Sequence, residues 1–365
     1  MSPENTNPIE SLTINIPTDP PFIEGQHFKQ GTNTAPDGTT ITLNNHFLRM
    51  GGQPFYPIAG ELHYTRYPRA EWEEALLKMK AGGIHVIAFY TFWLHHEEVK
   101  GKIRFDDNRD VRHFIELCAK HGLYAYPRIG PWCHGEARYG GYPDWFVNEF
   151  GNDRWQCWDK NGPYWQHYER WYQALAEQFK GLYYKDGGPI VIVQLDNEIP
   201  ARNTEAIGYE FMSALKHLAV RCGIDAPLYT VTGWGGYVPE DDVMPTWGAY
   251  PEAVWEQHAE EPPPIDSYCF MNKRWVPAIG TDLGINFSVD DEQKNLTTRH
   301  PFLTVEMGGG MQVTYHRRPA IPPKDVMAPV YTRVGMGANS MGYYIFHGSQ
   351  HPLSDDLSHT TSESK

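Results

Sequence analysis

Gly187-Gly188-Pro189 signals a turn, and Ile190-Val191-Ile192-Val193 follows it as an unbroken apolar, β-branched run. Such a run is too short for a free helix and has the length and composition of a strand buried on both faces. It then ends abruptly in Gln194, Asp196, Asn197 and Glu198. A dry strand with carboxylates at its tip is what an enzyme built on a parallel barrel requires, because its chemistry sits where the strands end. A buried strand followed by an ordinary polar loop would produce the same twelve residues, so the rest of the chain has to decide.

The chain repeats the pattern. Phe55–Glu61, His85–Trp93, Leu123–Ile129, Ile190–Leu195, Leu228–Thr232, Pro245–Tyr250, Phe302–Val305 and Met341–Phe346 read as strands. Helices are expected between them over 68–81, 111–121, 164–181, 207–222 and 326–337, several closed by Gly82-Gly83, Gly122 or Gly223. Strand–helix alternation at this rhythm means parallel strands with crossover helices, and eight of them favour a closed barrel over an open sheet. No Gly-x-Gly-x-x-Gly follows the first strand, which removes a dinucleotide-binding reading. The expected fold is therefore α/β, a (β/α)8 TIM barrel over residues 41–350. An extended N-terminal arm precedes it over 1–40, and a polar tail follows over 351–365. Residues 41–49 with Phe55 read as a hairpin closing the barrel bottom. No eighth helix is visible, so residues 349–365 either substitute for it or the chain is a fragment.

Composition narrows the partners. The 365 residues carry a formal net charge of −14, which argues against nucleic acid and anionic membrane. Aromatics reach 14%, a mild pointer to carbohydrate, since aromatic faces pack well against sugar C–H surfaces. No apolar run reaches membrane-spanning length and no signal peptide opens the chain. The five cysteines are scattered without Cys-x-x-Cys spacing, so no zinc site or disulfide framework is read. His95-His96-Glu97-Glu98 superficially suggests a metal, but adjacent side chains point apart, and neither metal nor cofactor is expected.

The strand ends bring chemistry together. Glu61 and His63 follow the first strand, Tyr90, Trp93, His96 and Glu97 the second, and Arg128, Trp132, His134 and Glu136 the third. Asn197 and Glu198 end the fourth, Trp234 follows the fifth, Trp247 lies in the sixth and Glu306 follows the seventh. Carboxylates, aromatics and an amide around one rim suit a neutral, polyhydroxylated substrate. Glu198 and Glu306 have the placement that glycoside hydrolysis requires. One carboxyl group donates a proton to the leaving oxygen, and the other, ionised and about 5–5.5 Å away, attacks the anomeric carbon. Repulsion between them raises the affinity of one for its proton and so separates the roles. The competing reading pairs Glu306 with an arginine such as Arg128 or Arg317. Each tryptophan at the rim could equally be a sugar platform or a core residue.

Gly187–Glu198 resembles the acid/base signature of glycoside hydrolase family 35, the β-galactosidase family, which reads Gly-Gly-Pro-Ile-Ile-x-x-Gln-x-Glu-Asn-Glu. Ala59–Arg66, Tyr90-Thr91-Phe92-Trp93 with His96-Glu97, Arg128-Ile129-Gly130-Pro131 through Glu136 to Gly140–Phe146, and Tyr343–Gly348 resemble further family motifs. The resemblance covers roughly residues 40–350. It implies a retaining (β/α)8 barrel that removes terminal non-reducing β-galactosyl residues from oligosaccharides or polysaccharides without a cofactor. Glu198 would be the acid/base and Glu306 the nucleophile. Tyr90, Glu136 and Asn197 would hold the sugar, with His134, Trp93 and Tyr315 as further substrate-binding candidates. The resemblance also implies export to the periplasm or outside, and β-sandwich domains beginning near residue 351 in longer relatives.

The departures fall beside the catalytic acids. Leu94 stands where the family usually has Asn, and His134-Gly135-Glu136-Ala137 where it has Cys-Ala-Glu-Trp. Glu306-Met307-Gly308 replaces Glu-Phe-Tyr, whose Tyr contacts nucleophile and sugar. That loses one hydrogen-bond donor, for which Tyr315 is a candidate replacement. The alternatives are an exo-β-glucosaminidase, with Asp196 or Glu136 meeting the 2-ammonium group, and a sugar-binding barrel without turnover.

Overall fold

The computed structural model describes residues 31–44, 46–151, 157–199, 207–231, 243–256, 261–270, 301–313, 320–355 and 360–362. Tyr315, Arg317 and Trp234 lie outside these described residues. Eight parallel strands close into a barrel: β4 (Ile58–Glu61), β5 (Val86–Tyr90), β6 (Tyr124–Arg128), β7 (Val193–Gln194), β8 (Leu228–Val231), β9 (Val243–Ala249), β10 (Thr304–Gly308) and β11 (Met341–Tyr344), with β11 pairing back onto β4. The expected (β/α)8 architecture is therefore present, and each predicted strand overlaps an observed one.

Three short strands precede the barrel: β1 (Ile41–Leu43), β2 (Leu48–Met50) and β3 (Gln53–Phe55) form an antiparallel sheet. Ile41, Leu43 and Leu48 join the apolar cluster inside the barrel, so this sheet plugs the bottom. The expected hairpin is there, extended by a third strand.

Alternation along the barrel strands produces two cores. In β5, Val86, Ala88 and Tyr90 face the interior cluster, whereas Ile87 and Phe89 join the cluster packed under the outer helices. The period of two sends successive side chains to opposite faces. Those helices are α1 (Trp72–Ala81), α3 (Val111–Lys120), α5 (Trp165–Phe179) and α6 (Ile207–Arg221), whereas α8 (Pro323–Gly335) adds Val330 to the other cluster, and the short α2 (Trp93–His96), α4 (Asp144–Phe150) and α7 (Asp266–Phe270) lie in the loops. In α3 the Asp110 side chain caps the first turn by accepting the His113 N–H, and the amphipathic stripe Val111, Phe114, Ile115, Cys118 is fully buried.

Two expectations are corrected. The second barrel strand was expected to reach Trp93, but it stops at Tyr90, and Trp93 opens the helical turn α2. Trp93 is 0% exposed, packed among Trp145, Phe146 and Trp171, and its indole N–H donates to Glu97 Oε2 at 2.7 Å. It has no face left for a sugar and belongs to the core. Trp247 is likewise buried against Phe302.

Residues after β11 lie on the C-terminal rim. Thr361 Oγ1 bonds His95 Nε2 at 2.9 Å, the Arg138 N–H donates to Thr361 O, and Ala137 bridges Ser362. Asp355 pairs with Arg104 and Arg109. Among the described residues no helix follows β11, and this segment straps the loops after the second and third barrel strands instead.

Candidate active site

The same alternation that builds the interior core aims one polar layer at the C-terminal mouth. Tyr90, Arg128 and Gln194 are register partners on adjacent strands, Glu61 ends β4, and Glu306 lies in the middle of β10 rather than after it, because that strand runs on to Gly308. Arg128 is the centre of this layer. Its guanidinium donates to both oxygens of Glu61 (2.8 and 2.6 Å), to Gln194 Oε1 (2.8 Å), to Asn197 Oδ1 (2.9 Å) and to Glu306 Oε2 (2.8 Å). Its plane lies over the Tyr90 ring, 3.9 Å from the centroid. Only a planar five-donor fork can address that many acceptors at once.

Each acid is set by its surroundings. Burial pushes the Glu61 carboxyl group up to about 6, although Arg128 clasps it and Arg66 lies near. Burial also raises Glu306, with Glu61 adding to the rise, while Arg128 and Tyr250 pull it back down. Burial works against the Arg128 charge, but Glu61, Tyr90 and Glu306 outweigh it and hold the guanidinium protonated. His63, buried and 2.8 Å from Glu61, is held neutral by burial and by the neighbouring arginines. The competing expectation that Glu306 pairs with Arg128 is correct as far as it goes.

Glu198 sits differently. It follows β7 in left-handed backbone (φ 51°), is partly exposed, and has His134 Nε2 3.1 Å from its Oε2. Asn197 is buried, its oxygen held by Arg128 and by Gln194 Nε2 at 2.9 Å, which turns its NH2 end away from both donors. Asp196 is buried and accepts the Asn197 N–H at 2.9 Å, shaping this turn.

The loop after β6 supplies the opposite wall. His134, Gly135 and Glu136 have φ of 54°, 58° and 49°, a left-handed turn closed by the Ala137 N–H on His134 O. Non-glycine residues pay about 1–3 kcal/mol for sparsely populated backbone conformations, which persist only where the surroundings over-determine them. Here the turn aims His134 at Glu198 and Glu136 at Tyr344, whose hydroxyl donates to Glu136 Oε2 at 2.6 Å. Gly140 is obligatory next to this turn: its φ is +62°, and a Cβ there would lie 2.4 Å from the Trp132 ring.

Of the residues expected to form the site, Glu198, Glu306, Tyr90, Asn197, Glu136 and His134 therefore converge on one rim, and Trp93 does not. Tyr90 is buried beneath the Arg128 guanidinium. Sequence reasoning put Arg128 on the rim, only as a candidate partner of Glu306, and did not assign Gln194, Tyr250 and Tyr344 to the site. Strand parity was the available signal for Gln194 and Arg128, which share a face with the inward residues of their strands. His95, His96 and Glu97 are buried and point to different partners: Thr65 and Thr361, Tyr64 and Arg104, and Arg170.

The sequence model of Glycosyl hydrolases family 35 matches residues 47–350. A β-galactosidase of Mus musculus is 36% identical over 190 residues, 52% of this chain and 28% of that protein. The Homo sapiens β-galactosidase is 33% identical over 183 residues, 50% of this chain and 26% of that protein. The matched stretch thus spans little more than a quarter of these relatives. Among solved structures, the chain resembles an exo-β-1,4-mannosidase from Opitutaceae bacterium strain TAV5 (TM-score 0.53, 14% identity, 87% of this chain and 54% of that one). It also resembles a β-galactosidase from Bacillus circulans sp. alkalophilus (TM-score 0.52, 16% identity, 82% and 51%). At these identities the structural likeness concerns the barrel alone.

Proposed function

The chain belongs to glycosyl hydrolases family 35, and on that premise we propose that it is a retaining glycoside hydrolase that removes terminal non-reducing β-D-galactosyl residues from oligosaccharides or polysaccharides. The observation that carries this reading is the contrast between two convergent carboxylates. Glu306 is buried with a donor on each oxygen, from Arg128 and Tyr250, which suits a carboxylate that stays ionised and oriented. Glu198 is partly exposed at the tip of the fourth barrel strand beside His134, which suits a group that exchanges protons with water.

In the first step a Glu306 oxygen bonds to the anomeric carbon. The bond to the aglycone oxygen breaks, and that oxygen takes its electron pair and the Glu198 proton. In the second step water attacks the same carbon while Glu198 removes its proton, and the Glu306 carboxylate leaves. Asn197, fixed by Arg128, directs its NH2 donor at the sugar's 2-hydroxyl. Of the two acids considered for a 2-ammonium group, Asp196 is buried holding its own turn, which leaves Glu136 as the group for a glucosaminide reading.

The test is a panel of nitrophenyl glycosides with the wild type, Glu198→Gln and Glu306→Gly. Turnover of the β-galactoside is expected, lost in both variants, with azide giving the β-azidosugar with Glu198→Gln and the α-azidosugar with Glu306→Gly. Turnover of the β-glucosaminide alone would keep the mechanism and move the substrate. A folded wild type with no turnover of any sugar would make the barrel a binding protein. Because burial raises Glu306 above its usual 4.5, and it must be ionised to attack, activity should fall on the acid side of a limb lying above pH 4.5.

A further inference from the structure

We propose that Tyr250, just after the sixth barrel strand, is a positioning residue for Glu306 and supplies from β9 the hydroxyl donor that the Gly308 position on β10 lacks. This rests on the reading of Glu306 as nucleophile given above. Glu306 and Gly308 are two residues apart on β10, so they share a face of the strand. A Cβ built on Gly308 would lie 2.4 Å from Cδ1 of the Tyr250 ring. The ring of Tyr250 therefore fills the volume that any side chain at 308 would need, and its hydroxyl donates to Glu306 Oε1 at 2.8 Å. Trp255 and Tyr344 meet that ring edge-on, with centroids 5.4 and 6.5 Å away, and Tyr250 is buried.

The glycines continue the exchange. Gly309 and Gly310 both donate their N–H groups to Tyr344 O, which folds the loop onto β11. Burial, then the nearby Glu306, Tyr344, Glu136 and Glu198, hold the Tyr250 hydroxyl well above its usual range, so it remains a donor. With Arg128 on Oε2 and Tyr250 on Oε1, each carboxylate oxygen has its own donor. The plane of the carboxylate is fixed before substrate arrives.

This clamp acts unequally on the two chemical steps. Glu306 loses its negative charge when its oxygen bonds to the sugar and regains it when the sugar leaves. A donor stabilises the free carboxylate more than the ester, so removing it slows the second step most. For Tyr250→Phe, kcat should fall by about 10- to 100-fold, the range for one lost hydrogen bond to a charge. KM should fall with it, and an activated aryl β-galactoside should show a burst of released phenol as the glycosyl-enzyme accumulates. Tyr250→Ala should be worse, and Tyr250→Ala with Gly308→Tyr should regain about tenfold by restoring a hydroxyl from the other strand.

Unchanged kcat and KM within about twofold in Tyr250→Phe, with Glu306→Gly inactive and rescued by azide, would overturn the proposal while leaving the mechanism intact. So would a double variant no better than Tyr250→Ala. Turnover surviving in Glu306→Gly would instead overturn the reading on which the proposal rests.

Discussion

Arg128→Met keeps the stem and removes the cation shared by the Glu61 and Glu306 carboxylates. Both groups are buried, so each stranded carboxylate escapes by taking up a proton. Starting from 4.5, uptake at pH 7 costs about 3.4 kcal/mol per group at about 1.4 kcal/mol per pH unit. Glu61 already meets about 2 kcal/mol of this in the native protein, where burial pushes it up to about 6. The further penalty at pH 7 is then at most about 5 kcal/mol, which agrees with the roughly 3–5 kcal/mol typical of breaking a buried pair. At pH 5 the two uptakes together cost at most about 1.4 kcal/mol. The sign follows from both carboxyl groups having raised values in the folded variant: the stability they contribute is present below 4.5 and is lost as pH rises. Urea unfolding of wild type and variant at pH 5 and pH 7 measures the difference. Against the roughly 5–15 kcal/mol of an ordinary domain, the variant should be far weaker than wild type at pH 7 and close to it at pH 5. An equal deficit at both pH values would assign the loss to packing, and the electrostatic account of Arg128 would be wrong.

Two further outcomes are expected. Trp93→Phe should lower stability by about 1–3 kcal/mol, read as a shifted urea midpoint, and leave KM for the aryl galactoside unchanged, because the indole packs the core and not the sugar. His134→Ala, which removes the group 3.1 Å from Glu198, should lower kcat by about tenfold with an unchanged melting temperature, the mark of lost orientation rather than lost packing.

The strands were legible because burial on both faces imposes an apolar run that few other structures tolerate, and Ile190–Leu195 is such a run. Glu198 and Glu306 were legible because carboxylates at the ends of such runs have no packing reason to be there. Trp93 was misplaced for a local reason. An apolar run does not mark where its last residue leaves the sheet, and Trp93 turns into α2 just past Tyr90. Arg128 was named as a partner for Glu306 because a buried carboxylate asks for a cation, but Tyr250, 56 residues away, was hidden by distance along the chain. Period and composition report each strand's faces, but not which side chain of a neighbouring strand fills the gap over a glycine. The left-handed turn at His134–Glu136 had no signal beyond Gly135, because nothing in His or Glu asks for positive φ.

The strap over the rim has a consequence for how the protein comes into being. Thr361 touches His95 across 266 residues of chain, and its carbonyl and Ser362 tie down the loop that carries His134 and Glu136. A chain emerging from the ribosome N-terminus first can hold its early strands and the Glu61–Arg128 pair while still tethered. Glu306 joins them only after strand seven, and the strap on the rim forms only when residues 360–362 arrive. The pocket therefore cannot be finished before residues 360–362 are made, so a chain stopped short of them carries its acids under an unstrapped rim.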